Sequence, residues 1–148
     1  MAAKVFLATP PFTQLNTPYP ATAYLKGFLN TKGIESAQAD LGIDVILALF
    51  SEKGFRDLFS KVEHSEGELS ANTKRIVSLK DQYIQTIDHV ISFLQGNNPT
   101  LAPLIAKRGY LPEASRFNQA EDLHHAFGTM GTQDQAKHLA TLYLENIS

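Results

Sequence analysis

The chain has 148 residues, enough for one domain with its own core, and its 43% hydrophobic and 19% charged residues exclude a disordered or fibrous protein. A net charge of −2 gives little attraction to phosphate backbones, and the basic pairs Lys74-Arg75 and Lys107-Arg108 are isolated, so no nucleic-acid partner is expected. There is no cysteine, which excludes disulfides, a thiol nucleophile, a zinc ribbon and any cysteine-held iron–sulfur cluster within these residues.

The start of the chain is halted by Pro10-Pro11 before a signal segment could form. No run approaches the ~18 apolar residues of a membrane span. A cytoplasmic protein with no membrane partner is the expectation.

Residues 4–8, Lys-Val-Phe-Leu-Ala, read as a short strand, apolar almost throughout and therefore expected to be buried on both faces. Pro10-Pro11 then ends hydrogen-bonded pairing, because neither ring nitrogen can donate. A helix is expected from near Thr17 or Pro20 to Lys32-Gly33, with Leu25, Phe28 and Leu29 on its inner face, Ala21 and Tyr24 extending it, and Gly33 as a left-handed terminator. Residues 34–40 form a second strand candidate, so 4–40 has the order of a parallel βαβ unit. The segment from Thr9 to Pro20 thereby falls at the carboxyl end of a parallel strand, where open α/β sheets bind ligands. It contains no glycine, which disfavours a Rossmann fingerprint or a P-loop. Asp40 could reach a ribose in a dinucleotide fold, but capping the next helix suits it better.

Helical spacing then takes over. Val45, Ile46, Leu49 and Phe50 share one side, a break is expected near Gly54, and Phe55, Leu58 and Phe59 form a second apolar set. A polar stretch at 63–68 precedes the longest expected helix, 70–95, with Ile76, Leu79, Tyr83, Ile87, Val90, Ile91 and Leu94 in one stripe. A short helix at 101–107, a turn at 109–112 and helices at 118–127 and 132–147 complete the chain, the last with Thr132 and Gln135 spaced for a capping box and Leu139, Leu142 and Tyr143 facing inward.

No residue is assigned a catalytic or metal-binding role. His124 and His125 are adjacent and diverge on a helix, so with His138 they do not make a metal site. Asp88-His89 diverges in the same way, and Glu63, Glu66, Glu68 and Glu121-Asp122 read as loop and cap charges. No serine lies in a GxSxG elbow. Val62-Glu63-His64-Ser65-Glu66-Gly67 matches half of the D-x-H-x-x-G motif whose histidine ligates cobalt in cobalamin domains, but valine stands where the orienting aspartate belongs and the segment follows a helix.

The run of residues 4–40 resembles the amino-terminal segment of radical SAM proteins with a cobalamin-binding-like front domain. The features that carry it are Pro10-Pro11 after the first strand, Tyr19-Pro20 opening a helix with Leu25 and Leu29 in Leu-x-x-x-Leu spacing, then Gly33 and a strand ending in Asp40. The resemblance implies a Rossmann-like, flavodoxin-like front domain in a larger oxidoreductase or methyltransferase. It implies a parent that uses S-adenosylmethionine, an iron–sulfur cluster and in some members cobalamin. The cluster motif C-x-x-x-C-x-x-C is absent here, so the rest of the parent chain, the radical SAM barrel, is the implied partner and this chain alone is expected to be inactive. On this reading Thr9, Pro10, Pro11, Thr13, Asn16, Tyr19 and Asp40 are the candidate cofactor-binding residues.

The expected fold class is therefore α/β, an incomplete Rossmann-like layer, with residues 1–148 as a single domain fragment made of a βαβ unit at 1–50 and a helical region at 51–148. A sheet of two strands is marginal alone, so a homodimer that covers it is expected. The rival readings are a stand-alone helical protein–protein interaction module and a small-ligand enzyme using the loop, the latter weakened by the lack of any nucleophile–base arrangement.

Overall fold

The computed structural model describes residues 4–11, 20–119 and 131–147, and the chain divides into two compact units, Met1–Leu49 and Phe50–Ser148. In the first, β1 (Val5–Thr9) and β2 (Ser36–Asp40) pair in parallel, joined by the crossover helix α1 (Ala21–Thr31). The fold class is thus α/β, and most of the chain is helical. Pro20 sits at the N-cap of α1 with φ −76°, a value its ring imposes and the helix entry uses. Gly33 takes φ +67° after the helix, where a side chain would be strained, and the Ile34 N–H donates back to the Leu29 carbonyl at 3.0 Å to close the turn into β2. Asp40 then starts α2 (Leu41–Leu49).

Burial in this unit departs from the expected pattern. Val5 and Leu7 are half-buried and Thr9 is buried, while Phe6 and Ala8, pointing the other way, are exposed. Leu25 and Phe28, expected on the inner face of α1, are 51% and 59% exposed, and the helix has no buried residue. The apolar spacing is real, but two strands and two helices supply too few elements to cover both faces of a parallel sheet. Apart from Asp44 the helix α2 carries no polar side chain, yet only Gly42 in it is buried.

The second unit holds every buried hydrophobic residue among those described. Its helices are α3 (Glu52–Glu63), α4 (Ala71–Ser78), α5 (Lys80–Leu94), α6 (Ala102–Ala106) and α7 (Thr132–Glu145), with single 3-10 turns at Pro99–Leu101 and Ser115–Gln119. Phe55 and Phe59 of α3, Tyr83, Ile87 and Val90 of α5, Ile105 of α6, and Leu139 and Tyr143 of α7 form the core. The break before α3 falls at Ser51, not Gly54, because the Ser51 hydroxyl accepts the Gly54 N–H at 3.0 Å and caps the helix.

The long helix expected at 70–95 is two helices. Ser78 turns its hydroxyl back to the Arg75 carbonyl at 2.6 Å, and Leu79 at φ −102°, ψ 7° interrupts the α ladder. The capping box expected at Thr132 also fails. Gly131 is the N-cap, and its carbonyl, with no side chain involved, accepts the Gln135 N–H at 2.6 Å. Leu139, Leu142 and Tyr143 do face the core. The helix expected at 118–127 falls largely outside the described residues.

Candidate functional site

The carboxyl ends of β1 and β2 are held level by the register that sets Thr9 opposite Asp40. Thr9 is 2% exposed, and the strand stops there because Pro10 and Pro11, exposed and half-buried respectively, cannot donate to a neighbour. Asp40 accepts the N–H groups of Gly42 at 3.1 Å and Ile43 at 3.2 Å through Oδ1. Two donors that α2 cannot satisfy internally are thereby paired, and the carboxylate sits at the positive end of the helix. Capping is the role the structure gives Asp40.

Thr9, Pro10, Pro11 and Asp40 therefore converge at one sheet end. Thr13, Asn16 and Tyr19 lie outside the described residues. The local chemistry is that of a hydroxyl and a half-buried carboxylate beside a helix N-terminus, which can bind and orient a polar group but includes no nucleophile–base pair.

The remaining candidates resolve into structural roles. Asp88 Oδ1 accepts the Glu52 N–H at 2.9 Å, so it caps α3 from α5, and His89 beside it is exposed. His64 lies at the C-cap of α3 with Nδ1 2.6 Å from the Ser60 carbonyl. Glu63 forms an ion pair with Lys80, whose ammonium pKa this hydrogen bond raises. Both arginines of the basic pairs turn to Glu113: Arg75 Nε donates to its carbonyl at 3.0 Å, and Arg108 forks onto its carboxylate at 2.7 and 2.6 Å. His138 is half-buried, while His124, His125, Glu121 and Asp122 lie outside the described residues. Among the described residues no three His, Asp or Glu side chains are grouped to hold a metal ion. No helix among them is long and apolar enough to cross a membrane.

Nothing in the sequence spacing marks Asn72 or Asn146, yet they fix successive backbone groups: Asn72 Oδ1 accepts the Ser115 N–H at 3.2 Å, and Asn146 Oδ1 accepts the Arg116 N–H at 3.1 Å. Such long-range pairing leaves no local signature.

Comparison with protein families, curated proteins and solved structures finds no match for this chain.

Proposed function

We propose that this chain is the amino-terminal cobalamin-binding-like domain of a larger radical SAM oxidoreductase or methyltransferase, and that the parent's catalysis resides in other residues. The observation that supports this reading is the state of the front unit. It has βαβ order and parallel pairing, with Pro10 and Pro11 following the first strand at the sheet's carboxyl end, and many of its apolar side chains are exposed. Phe6, Tyr24, Leu25 and Phe28 are 63%, 77%, 51% and 59% exposed, and Ile43 of α2 is 47% exposed. Parallel sheets are stable when both faces are covered, so this unit suits a place inside a larger α/β layer.

The residues present do not fit a histidine-ligated cobalamin. His64 ends a helix, its Nδ1 is engaged by the Ser60 carbonyl, and no aspartate precedes it in the motif. A chain without cysteine also supplies no cluster ligand of that type. The role of Thr9, Pro10, Pro11 and Asp40, with Thr13, Asn16 and Tyr19, is then to form one wall of the parent's site.

The test is the coding sequence downstream of Ser148. A C-x-x-x-C-x-x-C motif there supports the reading, and a stop codon overturns it in favour of a stand-alone helical interaction module, which the self-contained core of residues 50–148 would suit. Titration of the isolated chain with hydroxocobalamin, followed by visible absorbance, is expected to show weak binding or none. Low-micromolar affinity with the spectral change of a histidine entering the cobalt coordination sphere would contradict the helix-end role of His64.

A further inference from the structure

We infer that two copies of this chain join edge to edge through β1, in antiparallel order, making one continuous four-stranded sheet with the two α1 helices side by side on one face. The inference does not rest on the radical SAM reading, because it uses only residues 4–40 of this chain.

The two outer edges of the sheet differ. β2 reads Ser-Ala-Gln-Ala-Asp, with a polar side chain at every second position and a carboxylate at the end, a composition that guards an edge. β1 runs Val-Phe-Leu-Ala before Thr9, as a strand with neighbours on both sides does, yet among the described residues it pairs with β2 alone. The Val5 N–H donates to the Glu35 carbonyl at 3.1 Å, so by alternation Val5, Leu7 and Thr9 turn their backbone groups toward β2. Phe6 and Ala8 turn theirs to the outer edge, and both residues are exposed.

α1 points to the same edge. Thr22, Lys26 and Leu29 are its half-buried residues and mark the line that faces the sheet. Tyr24, Leu25 and Phe28, all more than half exposed, lie to one side of that line. In the right-handed crossover that βαβ units adopt, this is the side over the outer edge of β1. Antiparallel pairing about a two-fold axis at Leu7 answers both features. It sets Phe6 opposite the partner's Ala8, a large side chain against a small one, each such pair exchanging both backbone hydrogen bonds, and it keeps the two Lys4 ammoniums at opposite ends. Because α1 packs on both strands, the two helices come two strand spacings apart, ~10 Å, the distance at which helices pack. The exposed parts of Phe6, Tyr24 and Phe28 amount to roughly 400 Å² per copy, which with Leu25 and the strand edges brings two copies close to the ~1,200 Å² of the smaller specific interfaces. A reversible dimer follows.

The test uses the full chain, which has no cysteine of its own. Leu7→Cys puts a thiol at the two-fold axis in a non-hydrogen-bonded pair, where Cα atoms lie ~4.5 Å apart, within disulfide reach. Under mild oxidation it should form a disulfide-linked dimer at least tenfold faster than Gln38→Cys, which stands level with it on β2. Ala8→Pro removes an outward N–H and none of the bonds to β2, so in sedimentation velocity it should weaken the dimer at least tenfold. Should Ala8→Pro disturb the strand, the two cysteine variants decide the matter. A chain that stays monomeric at every accessible concentration leaves the edge to a strand of another protein and overturns the inference. So does a dimer in which Gln38→Cys links as fast as Leu7→Cys, or one that Ala8→Pro leaves intact.

Discussion

Tyr83 and Tyr143 stack at the centre of the helical unit with ring centroids 5.0 Å apart and planes 25° from parallel, and the Tyr143 hydroxyl donates to the Tyr83 backbone carbonyl at 3.1 Å. The same hydroxyl lies 3.1 Å from Thr86 Oγ1, which donates to the Gln82 carbonyl at 2.7 Å. One side chain of α7 therefore ties itself to α5 through a ring face and a polar tip.

The first prediction follows from separating those two contributions. Tyr143→Phe keeps the stacked ring and removes the hydroxyl, and should lower the stability of the helical unit by about 1–2 kcal/mol. Tyr143→Ala removes the ring from a fully buried position and should cost about 3–5 kcal/mol. Urea unfolding with an unchanged m-value is the measurement, and equal losses for the two variants would show that the ring contributes nothing beyond its hydroxyl.

Alkaline pH should act on the same pair. Burial pushes the Tyr83 hydroxyl up to about 12, against the opposing charge of Arg75 and the Asn146 amide, and burial raises Tyr143 as well. Both phenols ionise near 10 once unfolded, so above that pH the unfolded chain has lost protons that the folded one retains. Stability is complete below about pH 10 and falls as the pH rises toward the folded-state values. Chemical denaturation at several pH values should show this fall, and Tyr143→Phe should make it shallower; a slope that Tyr143→Phe leaves unchanged would assign it to other groups.

Arg108 concentrates three effects in one residue. Its backbone is left-handed at φ +64°, its guanidinium forks onto Glu113, and the same group lies 5.7 Å from the Phe117 ring centre. Arg108→Ala and Arg108→Gly lose the fork equally, but glycine relieves the backbone, so Arg108→Gly should be the more stable of the two by about 1 kcal/mol. The Arg108 hydrogen bonds are the largest cause holding the Glu113 carboxyl below its ordinary value. That contribution is present above the ordinary glutamate pKa and disappears as the pH falls through the depressed one, so acid unfolding of Glu113→Gln should begin from lower stability and show less pH dependence.

The elements that sequence reading located are those written in local chemistry. Gly33 stops α1 because only a left-handed residue turns there, Asp40 caps α2 because a carboxylate meets two free N–H groups, and Pro10 ends β1 because it lacks a donor. Burial was less legible. Spacing identified the apolar side of α1, but periodicity says which face is apolar and not whether anything covers it, so Leu25 and Phe28 were expected inside and lie outside. The stripe from Ile76 to Leu94 similarly conceals the break at Leu79, which depends on one serine hydroxyl choosing the Arg75 carbonyl. Asn146 and Tyr143 act through partners distant in sequence, and only the fold brings those together.

The exposed front unit leads to the last prediction, that the chain self-associates through residues 4–49. Among the described residues, nine of the ten large exposed apolar side chains lie there, including Phe6 on the open sheet face and Leu25 and Phe28 on α1. Exposed apolar side chains in this number seek cover, and a second copy offers the same ones. Sedimentation velocity should show a monomer–dimer equilibrium that moves toward dimer with concentration. Leu25→Ser with Phe28→Ser should shift it to monomer at little cost to the monomer's fold, about 1 kcal/mol or less per site, because neither side chain is buried. Leu25→Ala alone should likewise cost well under the 2–5 kcal/mol typical of a core leucine. A chain that remains monomeric at every accessible concentration, or a double variant that unfolds the front unit, would mean that these side chains are already covered and that the unit needs no partner.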